Sequence, residues 1–553
     1  VVRPRGQGAF GDGTAPKLLS VDETSIRHIE GVRVVRFGNF LGVVAPQEYA
    51  AIQAAAQLKA TWAENPPLPG HGNLWKQMRD HDSSGQAPAQ ILSAADTVHA
   101  LPITAGDVDK ALASSAKTLA QTYKFQWNGG TPIGPSCAVA DVTSAGARIF
   151  SGTQDAYGLR GSVKAVLDPV LGGKTLPLDR IRVSYYEASS SYGARSTTVD
   201  VAQGAALMSA IVGKPVRLQL MRWDEHGWNV FWTAIMFDIR AGMDAKGSLV
   251  AVEHTDFLVP FANTQAPEQM VTGNAAFTRN PYVAATTASG LQYGLQNRRT
   301  VAKVLPLLNN YFRTSYVRSP YRVQATWAAE QAFDELAHAA GMDPYQFRLQ
   351  NVATAATDPQ LRWRNVLTGV AKLANWQPKV AASNLSRAEV VTGRGISFGF
   401  DHGTVIAGVA DITVNKTTGK ITPLHIYCCV DPGVAINPGG LENNLEGDIV
   451  QTTSRVLLEQ VTFDRRRVTA LDWVSYPILR FKDTPRVTVQ VLSRSDIPDA
   501  GGGSHSGGGG EGSGSITAPA IANAFFDATG VRMRETPMTP GRVRATLKAA
   551  GMK

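Results

Sequence analysis

The sequence predicts an α+β fold assembled from several mixed α/β subdomains, and three observations carry that prediction. A chain of 553 residues exceeds one hydrophobic core and has room for several. From about Thr122, strand-like runs alternate with helix-like runs, as in βαβ packing. Two long apolar stretches also fold back on themselves as hairpins, which a purely parallel sheet would lack. The 44% hydrophobic and 18% charged content is that of a globular protein.

Taken in order, VRVVRF and NFLGVVA read as strands, and PQEYAAIQAAAQLK as a helix with Pro46 in its first turn. Residues 64–95, rich in Pro, Gly, Asp and Ser, read as a long exposed loop. ARIFSGT, YGLRGSVKAVL, RIRVSYYEA, a helix near Val199–Val212 and PVRLQLMR supply the alternation. IMFDIRAGMDAKGSLVAVEHTDF turns around Asp244-Ala245-Lys246-Gly247. TWAAEQAFDELAHAAG is a helix that Gly341 stops, and Asp343-Pro344 opens the next. VIAGVADITVNKTTGKITPLHIYCCV turns at Thr417-Thr418-Gly419, and Leu441–Gln460 reads as helical. The expected units are 1–95, 96–350 and 351–553.

Composition removes several function classes. The net charge of +9 is spread along the chain, and Arg465-Arg466-Arg467 reads as a solvated turn, so nucleic acid is not an expected partner. No apolar run is long enough to span a bilayer. Three cysteines, Cys137, Cys428 and Cys429, form no CxxC pattern and can hold neither a disulfide framework nor an iron–sulfur cluster. Cys428 and Cys429, neighbours in a strand, should point to opposite faces, one of them into the core. The opening VVRPRGQGAF has no methionine and no leader-like pattern, so the chain reads as continuing a segment that lies elsewhere.

Candidate chemistry is sparse. GISFG, residues 395–399, fits the G-x-S-x-G pattern around Ser397, but that motif needs a strand before and a helix after, and another strand follows here. His71, His81, His402 and His505 show no metal-ligand spacing and read as surface or core residues. Neither common nucleotide loop is present. What stands out is a set of glycine- and polar-rich loops after strands: IFSGTQDAYG, EASSSYGARS, FRTSYVRSPYRVQ, DPGVAINPG and DAGGGSHSGGGGEG. Small residues there let backbone amides approach oxo and phosphate groups.

Three longer motifs resemble the molybdenum-binding large subunit of the xanthine oxidase family, in particular its isoquinoline 1-oxidoreductase and bacterial aldehyde dehydrogenase branch. They are RSPYRVQATWAAEQAFDELAHAAGMDPYQFRLQN, VDPGVAINPGGLENNLEGDIVQ and GGGGEGSGSITAPAIANAFFDATGVRMR. The resemblance implies a fold of the aldehyde oxidase/xanthine dehydrogenase type with its N-terminal portion missing. It implies a molybdenum–molybdopterin cofactor, in the cytosine dinucleotide form, to which the protein gives no metal ligand. Glu511, eight positions before Pro519, keeps the family spacing of a catalytic general base. Gln154 resembles the glutamine beside the metal's oxygen ligand. Ser191, Tyr192 and Gly193 fall in the cofactor loop, Arg318 and Ser319 in the pterin-contacting R-x-P loop. Asn444 stands where the family has glutamine, and Gly509 and Gly510 lie against the cofactor. Ser189, Ser190 and Ser191 replace glycines, Ile133–Cys137 replaces an M-E-P segment, and Ser196 replaces the glutamate of purine-oxidising members, which speaks against a purine.

The implied reaction is oxidation of an aldehyde to a carboxylic acid with oxygen from water. The alternative is hydroxylation of an N-heteroaromatic compound of isoquinoline or nicotinate type. Two further readings stay open, a non-catalytic cofactor-binding scaffold and a serine hydrolase built on Ser397. With no second redox centre in this chain, the resemblance implies a small [2Fe–2S] partner subunit, which in turn hands electrons to a cytochrome c (haem) or flavin (FAD) partner. It implies export to the periplasm, with the cytoplasm as the alternative.

Overall fold

The computed structural model describes residues 1–9, 16–83, 95–96, 101–102, 104–189, 192, 199–259, 266–273, 293–305, 311–354, 361–379, 388–497 and 505–552. Three sheets organise them. The first has the order Ile181–Tyr185, Gly146–Ser151, Cys137–Thr143, Val216–Gln219. Gly146–Ser151 and Ile181–Tyr185 run parallel, joined by the helix Ala156–Val170, so the expected βαβ unit is present. Asp155 starts that helix by accepting the Gly158 amide at 2.7 Å. The helix Asp200–Val212 covers the sheet with small residues, among them the buried Ala202, Ala205 and Ala206.

The second sheet has five strands, in the order Thr104–Ala105, Asn297–Val304, Leu249–Leu258, Ile235–Met243, Lys117–Phe125. Its central hairpin turns where the sequence places it. Asp244 Oδ1 accepts the Lys246 and Ser248 amides at 2.8 Å each, and Gly247 takes a φ of +83°.

The third sheet is a meander of Val390–Asp401, Thr404–Asn415 and Ile421–Asp431, to which Arg486–Val491 adds in parallel. The helix Arg322–Ala340 packs between the second and third sheets and is buried almost all round. A deeply buried ion pair, Glu330 with Arg348 at 2.9 Å, is also tied to the Tyr293 hydroxyl, which meets the demand of a charge taken out of water.

The strand Val390–Asp401 lies against the buried helix Gly512–Thr529 at backbone distance. Period-2 alternation puts Gly393, Gly395, Ser397 and Gly399 on one face. A Cβ at Gly393 would stand 2.0 Å from the Ala524 carbonyl oxygen, and one at Gly395 2.3 Å from that of Ala520. Next along the same face, the buried Ser397 hydroxyl donates to the Ile516 carbonyl at 2.6 Å. The GISFG run is therefore a packing seam.

Four expectations need correction. Within residues 64–95, the helix Leu74–Ser83 forms and buries Leu74 and Met78 against aromatic residues, because its apolar positions recur at helical spacing. Cys428 and Cys429 do point to opposite faces, yet both are buried, since helices cover the sheet on both sides: the Cys429 thiol meets Gly369 of the helix Arg362–Leu373. The helix expected at Leu441–Gln460 spans Pro438–Leu457, started by Asn437 accepting the Gly440 amide. Pro46 precedes the first helix, which begins at Glu48.

Candidate active site

The third sheet, the Arg318 loop and the glycine loop meet at the N-terminus of the helix Gly512–Thr529. Glu511 occupies its N-cap position, and its side chain makes no capping hydrogen bond. Asp448, from the helix Pro438–Leu457, does so instead. Its Oδ2 accepts the Gly514 amide at 2.5 Å and the Ser513 hydroxyl at 3.1 Å. A carboxylate at a helix N-terminus satisfies the orphan amides and opposes the positive end of the dipole. The cap thus comes from elsewhere in the fold, and the Glu511 carboxylate is left for other work.

The loop before it is fastened from below. The Gly507 amide donates to Pro432 O at 2.7 Å, and the Gly508 amide to His402 O at 2.8 Å. Gly509 packs on Leu441, where a Cβ would come within 2.3 Å of its side chain. Arg318 Nε donates to Gly510 O at 2.7 Å, and its Nη2 to the Asn444 carbonyl at 2.7 Å and to the Asn444 side chain. Ser319 donates to the Glu511 carbonyl at 2.5 Å. Its own φ of +63° and the +64° of Tyr321 are conformations that non-glycine residues hold only when surroundings fix them. Here Arg455 does part of that by donating to the Arg318 carbonyl at 2.9 Å.

Glu511 is one-third exposed. Burial and the neighbouring Asp401 carboxylate push its pKa above the ordinary range, while His402 and the Ser319 backbone amide draw it back. Asp401 is buried and holds the His402 Nδ1 at 3.0 Å, and the same Nδ1 stands 3.7 Å from Glu511 Oε2. Asp401 holds His402 above its usual range. The three ligand-type atoms lie within 4.8 Å of one another. Arg322 Nε, 3.6 Å from Asp401, already brings positive charge there, so the set suits proton handling better than a cation.

Of the residues singled out from sequence, Arg318, Ser319, Asn444, Gly509, Gly510 and Glu511 come together here. Tyr192 joins them through its carbonyl, which accepts the Arg318 amide at 2.8 Å. Ser191 and Gly193 lie outside the described residues. Gln154 is exposed on the first sheet, between the strand Gly146–Ser151 and the helix Ala156–Val170. Asp448, Asp401 and His402 were not singled out as site residues. His402 had a signal, a His-Gly pair at a strand end where a two-residue turn favours Asn-Gly.

Comparisons with known proteins bear on the fold and on the cofactor class. Residues 92–352 and 323–485 each match a molybdopterin cofactor-binding domain. The whole chain aligns with one of the subunits of nicotinate dehydrogenase of Pseudomonas putida at 34% identity, covering 44% of that protein. The beta chain of isoquinoline 1-oxidoreductase of Brevundimonas diminuta is 24% identical over 98% of this chain and 64% of its own length. The fold matches quinoline 2-oxidoreductase from Pseudomonas putida 86 with a TM-score of 0.73 at 14% identity, over 98% of this chain and 94% of that one. Across residues 92–485 the chain is built of molybdopterin cofactor-binding domains, and as a whole it resembles the molybdenum-binding subunits of the xanthine oxidase family. It spans less than two thirds of the length of these curated relatives.

The site fits such a cofactor. A Cβ at Gly510 would meet nothing nearer than the Asn444 amide at 4.0 Å, so the outer side of the loop is open where its inner side is bound. The Arg318 guanidinium flanks that opening and suits an anionic, oxygen-rich group, while the helix N-terminus beside it is already met by Asp448. No helix of the described residues is long and apolar enough to cross a membrane.

Proposed function

We propose that the chain is the cofactor-binding and substrate-binding part of a molybdenum hydroxylase that adds oxygen from water to an electrophilic carbon. The observation that carries this is Glu511, a carboxylate released from capping its own helix and standing one-third exposed beside an open glycine loop. The molybdenum cofactor, when bound, supplies the oxygen-transfer and two-electron chemistry. The chain's own residues do the rest. Glu511 accepts a proton as the new C–O bond forms. Arg318, Ser319, Asn444, Gly509 and Gly510 would hold the pterin side; by resemblance alone, Ser191, Tyr192, Gly193 and Gln154 would belong to the cofactor's surroundings as well. The cytosine dinucleotide form belongs to the same reading, by resemblance.

The substrate class favoured is an N-heteroaromatic compound of nicotinate type, because the relative aligned over all of this chain is named for nicotinate. An aldehyde is the second reading, since its carbonyl carbon is electrophilic in the same way. Each turnover releases two electrons and two protons. Cys428 and Cys429 are buried and Cys137 stands apart, so the electrons leave through a partner, for which a [2Fe–2S] protein is the fitting class.

The test is reduction of the purified, molybdenum-loaded complex by substrates supplied one at a time. Nicotinate or a related ring should bleach the oxidised chromophore faster than any aldehyde. Faster reduction by aldehydes selects the second reading. Loaded protein that neither class reduces rejects the hydroxylase.

A further inference from the structure

We infer that His402 is a positioning residue for Glu511, an imidazole pinned from behind by Asp401 so that it steadies the Glu511 carboxylate at the open side of the glycine loop. This rests on Glu511 being the base.

Three observations carry it. The first is geometry: one nitrogen, His402 Nδ1, faces both carboxylates, at 3.0 Å from Asp401 Oδ1 and 3.7 Å from Glu511 Oε2. The second is the backbone. Asp401 pairs with Thr404 across a two-residue turn in which His402 has a φ of +43° and Gly403 of +80°. Such a turn needs a residue that tolerates positive φ at its first position, and His, like Asn and Asp, is one of the few non-glycine residues that do. The turn is tied to the glycine loop, where the His402 carbonyl accepts the Gly508 amide at 2.8 Å.

The third is how firmly Asp401 is held. It is buried, Arg322 Nε stands 3.6 Å from it, and the Arg322 guanidinium lies over the Phe400 ring at 4.2 Å. Asp401 therefore cannot swing, and His402 inherits its position. The charged groups facing Glu511 are Asp401 and Asp448, which oppose its ionisation, and His402, which favours it. Those facing His402 are Asp401 and Glu511, which favour the imidazolium, and Arg322, which opposes it. Without His402, Glu511 would sit partly buried near two carboxylates and lose the counter-charge that stands 3.7 Å from it.

The experiment follows the Glu511 carboxyl by infrared titration of the whole chain, its protonated band assigned as the one missing in Glu511→Gln. His402→Asn suits the turn and should keep the fold, checked by thermal melting. The midpoint of the Glu511 band should rise by about one pH unit or more in His402→Asn. In the loaded enzyme, the acid limb of kcat/KM should rise with it, while activity returns at high pH, as a merely structural defect would not allow. An unchanged midpoint in a folded His402→Asn chain overturns the inference. A loaded Glu511→Gln that keeps its rate overturns the base assignment instead, and the infrared midpoint still decides whether His402 governs Glu511.

Discussion

Asp448 accepts the Gly514 amide at 2.5 Å and so caps, from 66 residues away in sequence, the helix that begins at the candidate base. The same carboxylate lies 3.4 Å from Arg318 Nε. One buried group therefore joins the base helix to the loop that holds Gly510. Asp448→Ala should cost about 2–3 kcal/mol, because the acceptor of the Gly514 amide and the Ser513 hydroxyl is lost from a buried site. Urea unfolding measures it, and a change below the scatter of surface substitutions would show that the cap is not needed.

Glu511→Gln keeps size and polarity and removes the base. Substrate-driven reduction should slow by about 10²–10⁴-fold with molybdenum content unchanged. In the parent, the raised pKa of Glu511 means the carboxylate form is lost as pH falls through a value above the ordinary carboxylate range. The rate should therefore decline on the acid side earlier than an exposed glutamate would allow. Rapid mixing across a pH series reads both effects.

The glycine seam predicts opposite outcomes for one chemical change. Gly395→Ala would drive a methyl to 2.3 Å from the Ala520 carbonyl oxygen, between two backbones that have no room to part. It should destabilise by about 3 kcal/mol or prevent folding. At Gly161, inside the helix Ala156–Val170, an added Cβ meets nothing within 4 Å. Gly161→Ala should stabilise by about 0.5–1 kcal/mol. Equal melting temperatures for the two variants would contradict the packing described.

Ser397→Ala removes a buried hydroxyl that donates to Ile516 O. A loss of about 1–2 kcal/mol should follow, because the hydroxyl's bond disappears from the core. Turnover per loaded site should stay within about twofold. Labelling of Ser397 in the native protein by a serine-directed fluorophosphonate would revive the hydrolase reading.

Much of the site was legible because it is written locally. The hairpin at Asp244–Gly247, the stop at Gly341 and the start at Asp343 depend on residues within a turn of each other. The GGGGEG run and its distance to Pro519 also survive in one dimension. Other expectations failed where long-range packing decided. Residues 74–83 looked like loop because their polar residues outnumber the few apolar ones, yet Leu74 and Met78 suffice once an aromatic cluster receives them. Cys428 and Cys429 looked divided between core and exterior, yet a second helix layer buries both.

By itself, the sequence determined the strongly patterned strands and helices, the turns, the glycine loop and the carboxylate within it. These follow from periodicity, caps and backbone freedom, which act over a few residues. Only the tertiary structure decided that Asp448 would cap the Glu511 helix and that His402 would stand between Asp401 and Glu511. Those relations join residues tens to more than a hundred positions apart. They arise because the seam of Gly393, Gly395 and Gly399 lets the strand and the helix close to backbone distance, bringing the strand-end turn beside the helix N-terminus.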